Sequence, residues 1–224
     1  RAITADPGFA VPHAFLAITY VSQAAWMDPN EERGKIEAQA EEAIKKALEL
    51  DDSIPVTPLA LAIMKELWGQ RPDWNGAEKL FKTAIDLDPN WWRSYAEYSM
   101  LLTRLGRFEE ALKFAELADQ LGPYREETIV QLAYSQLHAG YPDRALEVAR
   151  KLVELYPERI GSYLMLAEVY RASGSFEQAI AVLNGAVDKP GAADADSSCI
   201  GLLGHLYTLT GSNTEARDCL RRLG

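Results

Sequence analysis

Apolar and small residues recur through the middle of the chain at a fixed period of 34 residues. Within each period they fall three and four residues apart on either side of a glycine, which is typical of two amphipathic helices joined by a short turn. A period in the mid-thirties predicts a stack of repeats rather than one globular core. The recurring positions are Tyr95, Tyr98, Leu102, Gly106, Ala111, Ala115, Ala118 and Pro123, which correspond to Ile129, Leu132, Gln136, Gly140, Ala145, Ala149, Leu152 and Pro157.

This register resembles the tetratricopeptide repeat, a 34-residue helix–turn–helix unit. Leu203, Gly204 and Tyr207 match the Leu-Gly-x-x-Tyr of that family most closely. The resemblance covers nearly the whole chain and implies an all-α fold, a right-handed α-α superhelix (TPR solenoid) formed by residues 1–224. We expect the end of a truncated repeat at 1–9, followed by repeats at 10–54, 55–91, 92–125, 126–159, 160–196 and 197–224, the last of them incomplete.

Three segments depart from the 34-residue period. Residues 21–32 lengthen the first repeat, either as a binding loop or, as we favour, as an extension of its first helix. Residues 68–72 and 188–196 each add three residues at proline- and glycine-marked breaks. The first seven residues also match 83–89 in character. We therefore expect a further helix pair upstream of the first residue.

The repeated positions have structural roles that the pattern predicts. In the last four repeats a glycine ends the first helix, where a left-handed conformation is usual; these are Gly106, Gly140, Gly174 and Gly211. Alanines let the two helices of a repeat approach closely, and they are Ala111, Ala145, Ala179 and Ala216. Leu132, Leu166 and Leu203 fill the space between neighbouring repeats. Tyrosines of the same stripe are expected in the core, and they are Tyr95, Tyr98, Tyr163, Tyr170 and Tyr207.

Composition narrows the range of partners. The net charge is −10, so nucleic acid and anionic membranes are poor candidates, and no apolar run approaches the ~18 residues of a membrane helix. Two cysteines, Cys199 and Cys219, are too few for a disulfide framework. We favour free thiols in a reducing compartment over a single bridge, and we expect a cytoplasmic location.

No constellation of residues predicts catalysis. The sequence has no phosphate-binding loop, dinucleotide fingerprint, nucleophile elbow or paired-histidine helix. Its three histidines, His13, His138 and His205, belong to three different repeats, so a shared metal is not expected. We predict no enzyme activity, no cofactor and no metal.

In the tetratricopeptide family the first helix of each repeat lines a concave groove where partners bind. The corresponding positions are unusually apolar and lack the Lys and Asn of the co-chaperones that grip a C-terminal carboxylate. An amphipathic helix or an extended peptide with bulky side chains would suit such a groove. The alternative is that neighbouring repeats bury these residues. The predicted groove residues are Phe15, Ile18, Ile63, Arg93, Glu97, Met100, Gln131, Tyr134, Met165, Glu168, Leu202 and His205, with Arg104 and Arg171 at the rim.

Three further stretches, 48–53, 73–81 and 86–90, look like repeat regions attached to bacterial winged-helix transcription regulators and nucleotide cyclases. That resemblance implies that the chain is the regulatory or partner-binding part of a larger bacterial signalling or transcription protein. Our main prediction is therefore a protein–protein interaction module, a scaffold without chemistry of its own. The alternatives are an architectural module that self-associates through uncapped ends, and a sensor that holds a small apolar effector in the groove.

Overall fold

Helices make up all the regular structure in the part of the chain that the computed structural model describes, namely residues 6, 8–25, 27–28, 30–68, 72–187 and 197–223. No strand occurs among these residues, and none of their helices is both long and apolar enough to cross a membrane. The helices are α1 (Ala10–Ala25), α2 (Glu31–Leu50), α3 (Val56–Leu67), α4 (Trp74–Leu87), α5 (Trp92–Arg104), α6 (Phe108–Leu121), α7 (Glu126–His138), α8 (Pro142–Leu155), α9 (Ile160–Ala172), α10 (Phe176–Val187), α11 (Ser197–Leu209) and α12 (Asn213–Leu223).

Each odd-numbered helix packs against the even-numbered helix that follows it. We call the odd-numbered members first helices and the even-numbered members second helices. The chain divides into two compact units, unit 1 (Arg1–Leu121) and unit 2 (Gly122–Gly224). The prediction of an all-α fold made of paired helices is confirmed.

The glycine turns have the geometry that the sequence predicts. Gly106 has a φ of +73°, its N–H donates to the Thr103 carbonyl at 3.0 Å, and the Arg107 N–H donates to the Leu102 carbonyl at 2.9 Å. This pair of hydrogen bonds is the Schellman motif, which requires a left-handed residue at its centre. Positive φ angles recur at Gly140, Gly174 and Gly211.

The irregular segments are described only in part. Helix α1 continues to Ala25, with Val21 and Ala24 fully buried, so residues 21–25 of the first insertion extend this helix. Trp26 and Pro29 of that insertion lie outside the described residues. So do residues 69–71 of the second break, residues 188–196 of the third, and residues 1–5 and 7 of the segment 1–9 that we expected to end a truncated repeat.

Aromatic side chains form the core of unit 1. Tyr98 on α5 is almost fully buried, stacks on Phe81 of α4 with ring centroids 6.0 Å apart, and meets Phe114 of α6 edge-on at 4.6 Å. Ala77 and Ala111 are fully buried beside them, because only a small residue lets paired helices approach this closely. Tyr98 thus contacts the second helices of two successive pairs.

A polar network around Glu78 lies at the edge of that core. Lys82 Nζ and the Tyr98 hydroxyl each donate to Glu78 Oε1 at 2.8 Å, and Arg107 Nη1 donates to Oε2 at 2.9 Å. Arg107 also forms a two-pronged pair with Glu110. Donation from Lys82, together with Tyr98 and Arg107, lowers the pKa of Glu78 to about 2. The network joins α4, α5 and α6.

The core of unit 2 is aliphatic. Ala145, Ala149 and Leu152 of α8 are fully buried. A Cβ atom added to Gly204 of α11 would lie 3.2 Å from the Cβ of Cys219, so glycine permits close contact between α11 and α12. Three further residues of unit 2 are also buried: Cys199 and Cys219, which do not form a disulfide, and Gln136, whose Oε1 has no hydrogen-bond partner among the described residues.

Candidate functional site

The first helices of unit 1 lie side by side, with α1 against α3 and α3 against α5. Their outward side chains therefore share one surface, which we call the unit 1 surface. In unit 2, α9 contacts both α7 and α11, and the outward side chains of these three helices form the unit 2 surface.

Four of the predicted groove residues lie in the packed interior. Ile18 and Ile63 are each 5% exposed, and Gln131 and Met165 are each 6% exposed. Gln131 Nε2 donates to Ser135 Oγ at 3.1 Å within the same helix. Because neighbouring first helices are in direct contact, these positions are covered, as the alternative interpretation expected. They therefore do not belong to the unit 1 or unit 2 surface.

Phe15 is the exposed aromatic side chain of the unit 1 surface, at 37% of its area. Trp91, which precedes α5, meets its ring edge-on with centroids 6.4 Å apart. The guanidinium carbon of Arg93 lies 5.7 Å from the centre of the Phe15 ring, within the range of a cation–π contact. Phe15 is therefore held in place by two residues at the start of α5.

The side chains of Arg93, Glu97, Met100 and Arg104 follow one another along α5. Arg93 Nε lies 3.4 Å from Glu97 Oε1, but Nε is buried and has no hydrogen-bond acceptor among the described residues. Burial raises the pKa of Glu97, an effect that the charges of Arg93 and Arg104 oppose. Met100, one turn further on, is half-buried.

Arg104 is the last of these four residues and pairs with Glu66 of α3 through its Nη1. The Glu66 side chain is only 3% exposed, whereas that of Arg104 is 42% exposed. Burial raises the pKa of Glu66, while the charge of Arg104 and its hydrogen bond lower it. Sequence reasoning missed Glu66. The available signal was a single carboxylate in the mostly apolar α3, and the pairing itself joins residues 38 positions apart.

The unit 2 surface has its own exposed aromatic residue, Tyr134 on α7, at 42%. His138 meets the Tyr134 ring edge-on at 4.4 Å. On α9 Arg171 Nε pairs with Glu168 Oε2 at 2.7 Å. On α11 Leu202 is half-buried, and His205 is exposed beside a cavity of about 180 Å³.

Among the described residues no group of three or more His, Cys, Asp or Glu side chains could hold a metal ion. A cavity of about 450 Å³ lies between α1 and α2, next to His13, and includes none of the predicted groove residues. Lys45, Lys46, Glu42 and Glu49 contribute charged groups to its lining, alongside the apolar surface of Leu16 and Ala43.

Comparison with known proteins supports the repeat assignment. The family model described as "Tetratricopeptide repeat" matches residues 65–126, and the model described as "Anaphase-promoting complex, cyclosome, subunit 3" matches residues 104–186. The chain contains tetratricopeptide repeats. Tetratricopeptide repeats generally mediate protein–protein interaction and are generally non-catalytic scaffolds.

Several solved structures share the fold of this tetratricopeptide repeat protein. PilF of Pseudomonas aeruginosa is 20% identical, with a TM-score of 0.62 over 95% of this chain and 92% of that one. The Cut9–Hcn1 hetero-tetramer of the APC/C gives 0.71 at 15% identity, over 98% of this chain and 40% of that one. YrrB, described as having an unusual peptide-binding site, gives 0.53 at 15% identity, over 81% and 90%. Identities this low establish the fold alone.

Proposed function

We propose that the first-helix surfaces of this tetratricopeptide repeat protein bind a peptide segment or a helix of a partner protein. The observation that carries the proposal is an exposed aromatic ring on each surface, Phe15 in unit 1 and Tyr134 in unit 2, held by neighbours. A rigid, partly exposed aromatic side chain loses little conformational entropy on binding and is a frequent anchor of protein interfaces.

The surroundings of both rings support this proposal. The half-buried Met100 in unit 1 and Leu202 in unit 2 offer apolar contact area. Ion pairs border it, Arg93 with Glu97 in one surface and Arg171 with Glu168 in the other. An apolar centre with a polar rim is the usual composition of a peptide-binding surface. The sequence resemblance to repeat regions of bacterial regulators favours a partner-binding part of a larger signalling or transcription protein.

Selection from a random peptide library displayed on phage, with the purified chain as bait, tests the proposal. We expect selected peptides whose affinity, measured by fluorescence anisotropy, falls about tenfold or more in Phe15→Ala or Tyr134→Ala, in line with the loss of an aromatic anchor. Leu117→Ala on α6 and Leu155→Ala on α8 are matched controls, because these leucines are similarly exposed but lie on second helices. Peptides that respond only to the two control substitutions, or a library without any binder, would refute the proposal.

Self-association is a second candidate, favoured by α12. Leu220 and Leu223 on this helix are 68% and 44% exposed, and both border the cavity of about 180 Å³. An exposed apolar patch of this kind is a common interface feature. Light scattering at rising protein concentration should show dimers that Leu220→Glu abolishes. A monomer at every concentration would eliminate this candidate.

A further inference from the structure

We propose that the unit 1 surface binds an acidic segment of its partner, with one carboxylate at Arg93, one at Arg104 and an uncharged apolar side chain between them. This inference rests on the proposed function, because it names the chemical class of peptide that the surface takes. Three observations support it: the distribution of charge over unit 1, the unused donors of the two arginines, and their spacing along α5.

Charge in unit 1 is segregated between the two kinds of helix. The second helices α2, α4 and α6 carry twelve acidic and seven basic residues. The first helices α1, α3 and α5 carry two acidic residues, Glu66 and Glu97, against three basic ones, Lys65, Arg93 and Arg104. An acidic peptide is therefore repelled by the second helices and meets a weakly positive potential at the unit 1 surface. Because the whole chain has a net charge of −10, this weakly positive surface should attract an acidic peptide while other parts of the chain repel it.

Both arginines have hydrogen-bonding capacity left. A guanidinium group offers five N–H donors in a planar fork. Arg104 donates through Nη1 to the buried Glu66 and is otherwise 42% exposed, so one carboxylate fixes it while further donors face the surface. Arg93 faces Glu97 through its buried Nε, 3.4 Å from the carboxylate, while its side chain is 31% exposed, so its terminal nitrogens can meet a partner. A carboxylate from a partner supplies the acceptors that the chain itself does not.

The spacing of these groups along α5 determines how far apart the two carboxylates of the peptide must be and what lies between them. Arg93 and Arg104 are eleven residues apart, which returns to nearly the same face of a helix and separates their Cα atoms by about 16 Å. An extended peptide covers that distance in about five residues. Glu97 and Met100 lie between the arginines. A carboxylate in the middle would be repelled by Glu97, whereas an apolar side chain there meets Met100.

Defined peptides test this arrangement by fluorescence anisotropy on the full chain. The main probe is a fluorescein-labelled glycine- and serine-based peptide with two glutamates about five residues apart and a leucine between them. In the comparison peptides the glutamates are replaced by glutamine or by lysine, or are placed side by side. We expect the main probe to bind about tenfold more tightly than the glutamine peptide, a difference of about 1.4 kcal/mol. The lysine peptide should bind least, and the advantage should shrink as salt is added.

Substitutions locate the site. Arg93→Gln should lower affinity for the glutamate probe about tenfold and leave the glutamine peptide unchanged, since only the former needs the guanidinium group. Arg104→Lys should act in the same direction, because lysine keeps the charge beside Glu66 but loses the fork. Lys113→Gln is the matched control, because it removes one positive charge from an exposed position on α6 and should not change binding. Circular dichroism confirms that each variant is folded.

The possible results separate this inference from the proposed function. If the glutamate probe binds no more tightly than the glutamine peptide while library peptides still depend on Phe15, the acidic-segment inference is wrong and the proposed function stands. Equal losses of affinity for the glutamate probe in Arg93→Gln and Lys113→Gln would also overturn the inference. They would show that the probe responds to any positive charge on the chain and not to Arg93 in particular. If neither the probes nor any library peptide bind, both proposals fail.

Discussion

Replacing Glu78 by glutamine should destabilise unit 1 in a pH-dependent way. The pKa of Glu78 is lowered from 4.5 to about 2 in the folded chain, chiefly by the hydrogen bond from Lys82. Because the folded-state pKa lies below the unfolded one, the stabilisation is complete above about pH 4.5 and is lost as the pH falls towards about 2. At 1.36 kcal/mol per pKa unit the limit is about 3 kcal/mol. Lys82 is 57% exposed, so solvent screening reduces this to about 1–2 kcal/mol.

Tryptophan fluorescence is the appropriate assay, because all five tryptophans fall in unit 1 by sequence position. Urea unfolding at pH 7 should give a free energy of unfolding for Glu78→Gln that is lower than wild type by about 1–2 kcal/mol. The deficit should shrink towards zero near pH 2, where Glu78 itself becomes protonated in the folded chain. Glu41→Gln, an exposed position on α2, controls for the loss of one negative charge. A deficit of the same size at both pH values, or one matched by Glu41→Gln, would contradict this reasoning.

Two further predictions concern the stability effects of replacing glycines, at Gly106 and Gly34, and of replacing the buried amide of Gln136. Gly106→Ala should cost about 1–2 kcal/mol in the same fluorescence assay, because its φ of +73° is left-handed. Gly34→Ala, inside α2 and equally free of neighbours, should stabilise by about 0.5–1 kcal/mol, and equal signs for the two would refute this account. Gln136→Leu should stabilise unit 2 by about 1–2 kcal/mol by removing a buried, unpartnered Oε1. Thermal unfolding followed by circular dichroism tests this, with the exposed Gln178→Leu as the neutral control.

The repeat could be predicted from the sequence because the constraints that produce it act between residues close together in the chain. A glycine that must adopt a positive φ and an alanine that must fit between paired helices leave the same mark every 34 residues, as at Gly106 and Gly140 or Ala111 and Ala145. The longer α1 was readable too, since the apolar pattern continues through Val21.

A hydroxyl near the start of first helices is a similar local signal that sequence reasoning missed. Thr128 Oγ1 donates to the Gly122 carbonyl at 2.9 Å, and Ser162 Oγ donates to the Tyr156 carbonyl at 3.2 Å. Both hydroxyls satisfy carbonyl groups at or just beyond the end of the preceding helix. The two residues are 34 positions apart, so the period alone could have revealed them.

The surface residues were harder to predict, because their exposure depends on neighbours that are far apart in sequence. Ile18 and Phe15 are only three positions apart on α1, yet Ile18 is buried, whereas Phe15 is exposed and contacts Trp91 and Arg93 at the start of α5. The burial of Glu66 likewise depends on helix packing that no local pattern describes. Which of the predicted groove residues are buried and which are exposed could therefore be determined only from the structure.

The two buried thiols give unit 2 a chemical reporter of its own. Cys199 is fully buried and Cys219 nearly so, and burial raises the pKa of the Cys219 thiol, so little reactive thiolate is accessible in the closed α11–α12 pair. A thiol-specific dye added to the native chain should therefore react at a rate set by how often that pair opens. Peptide capture by the unit 2 surface would slow the labelling, whereas capture confined to unit 1 would change only the tryptophan emission. One sample could thus show which unit holds a bound peptide.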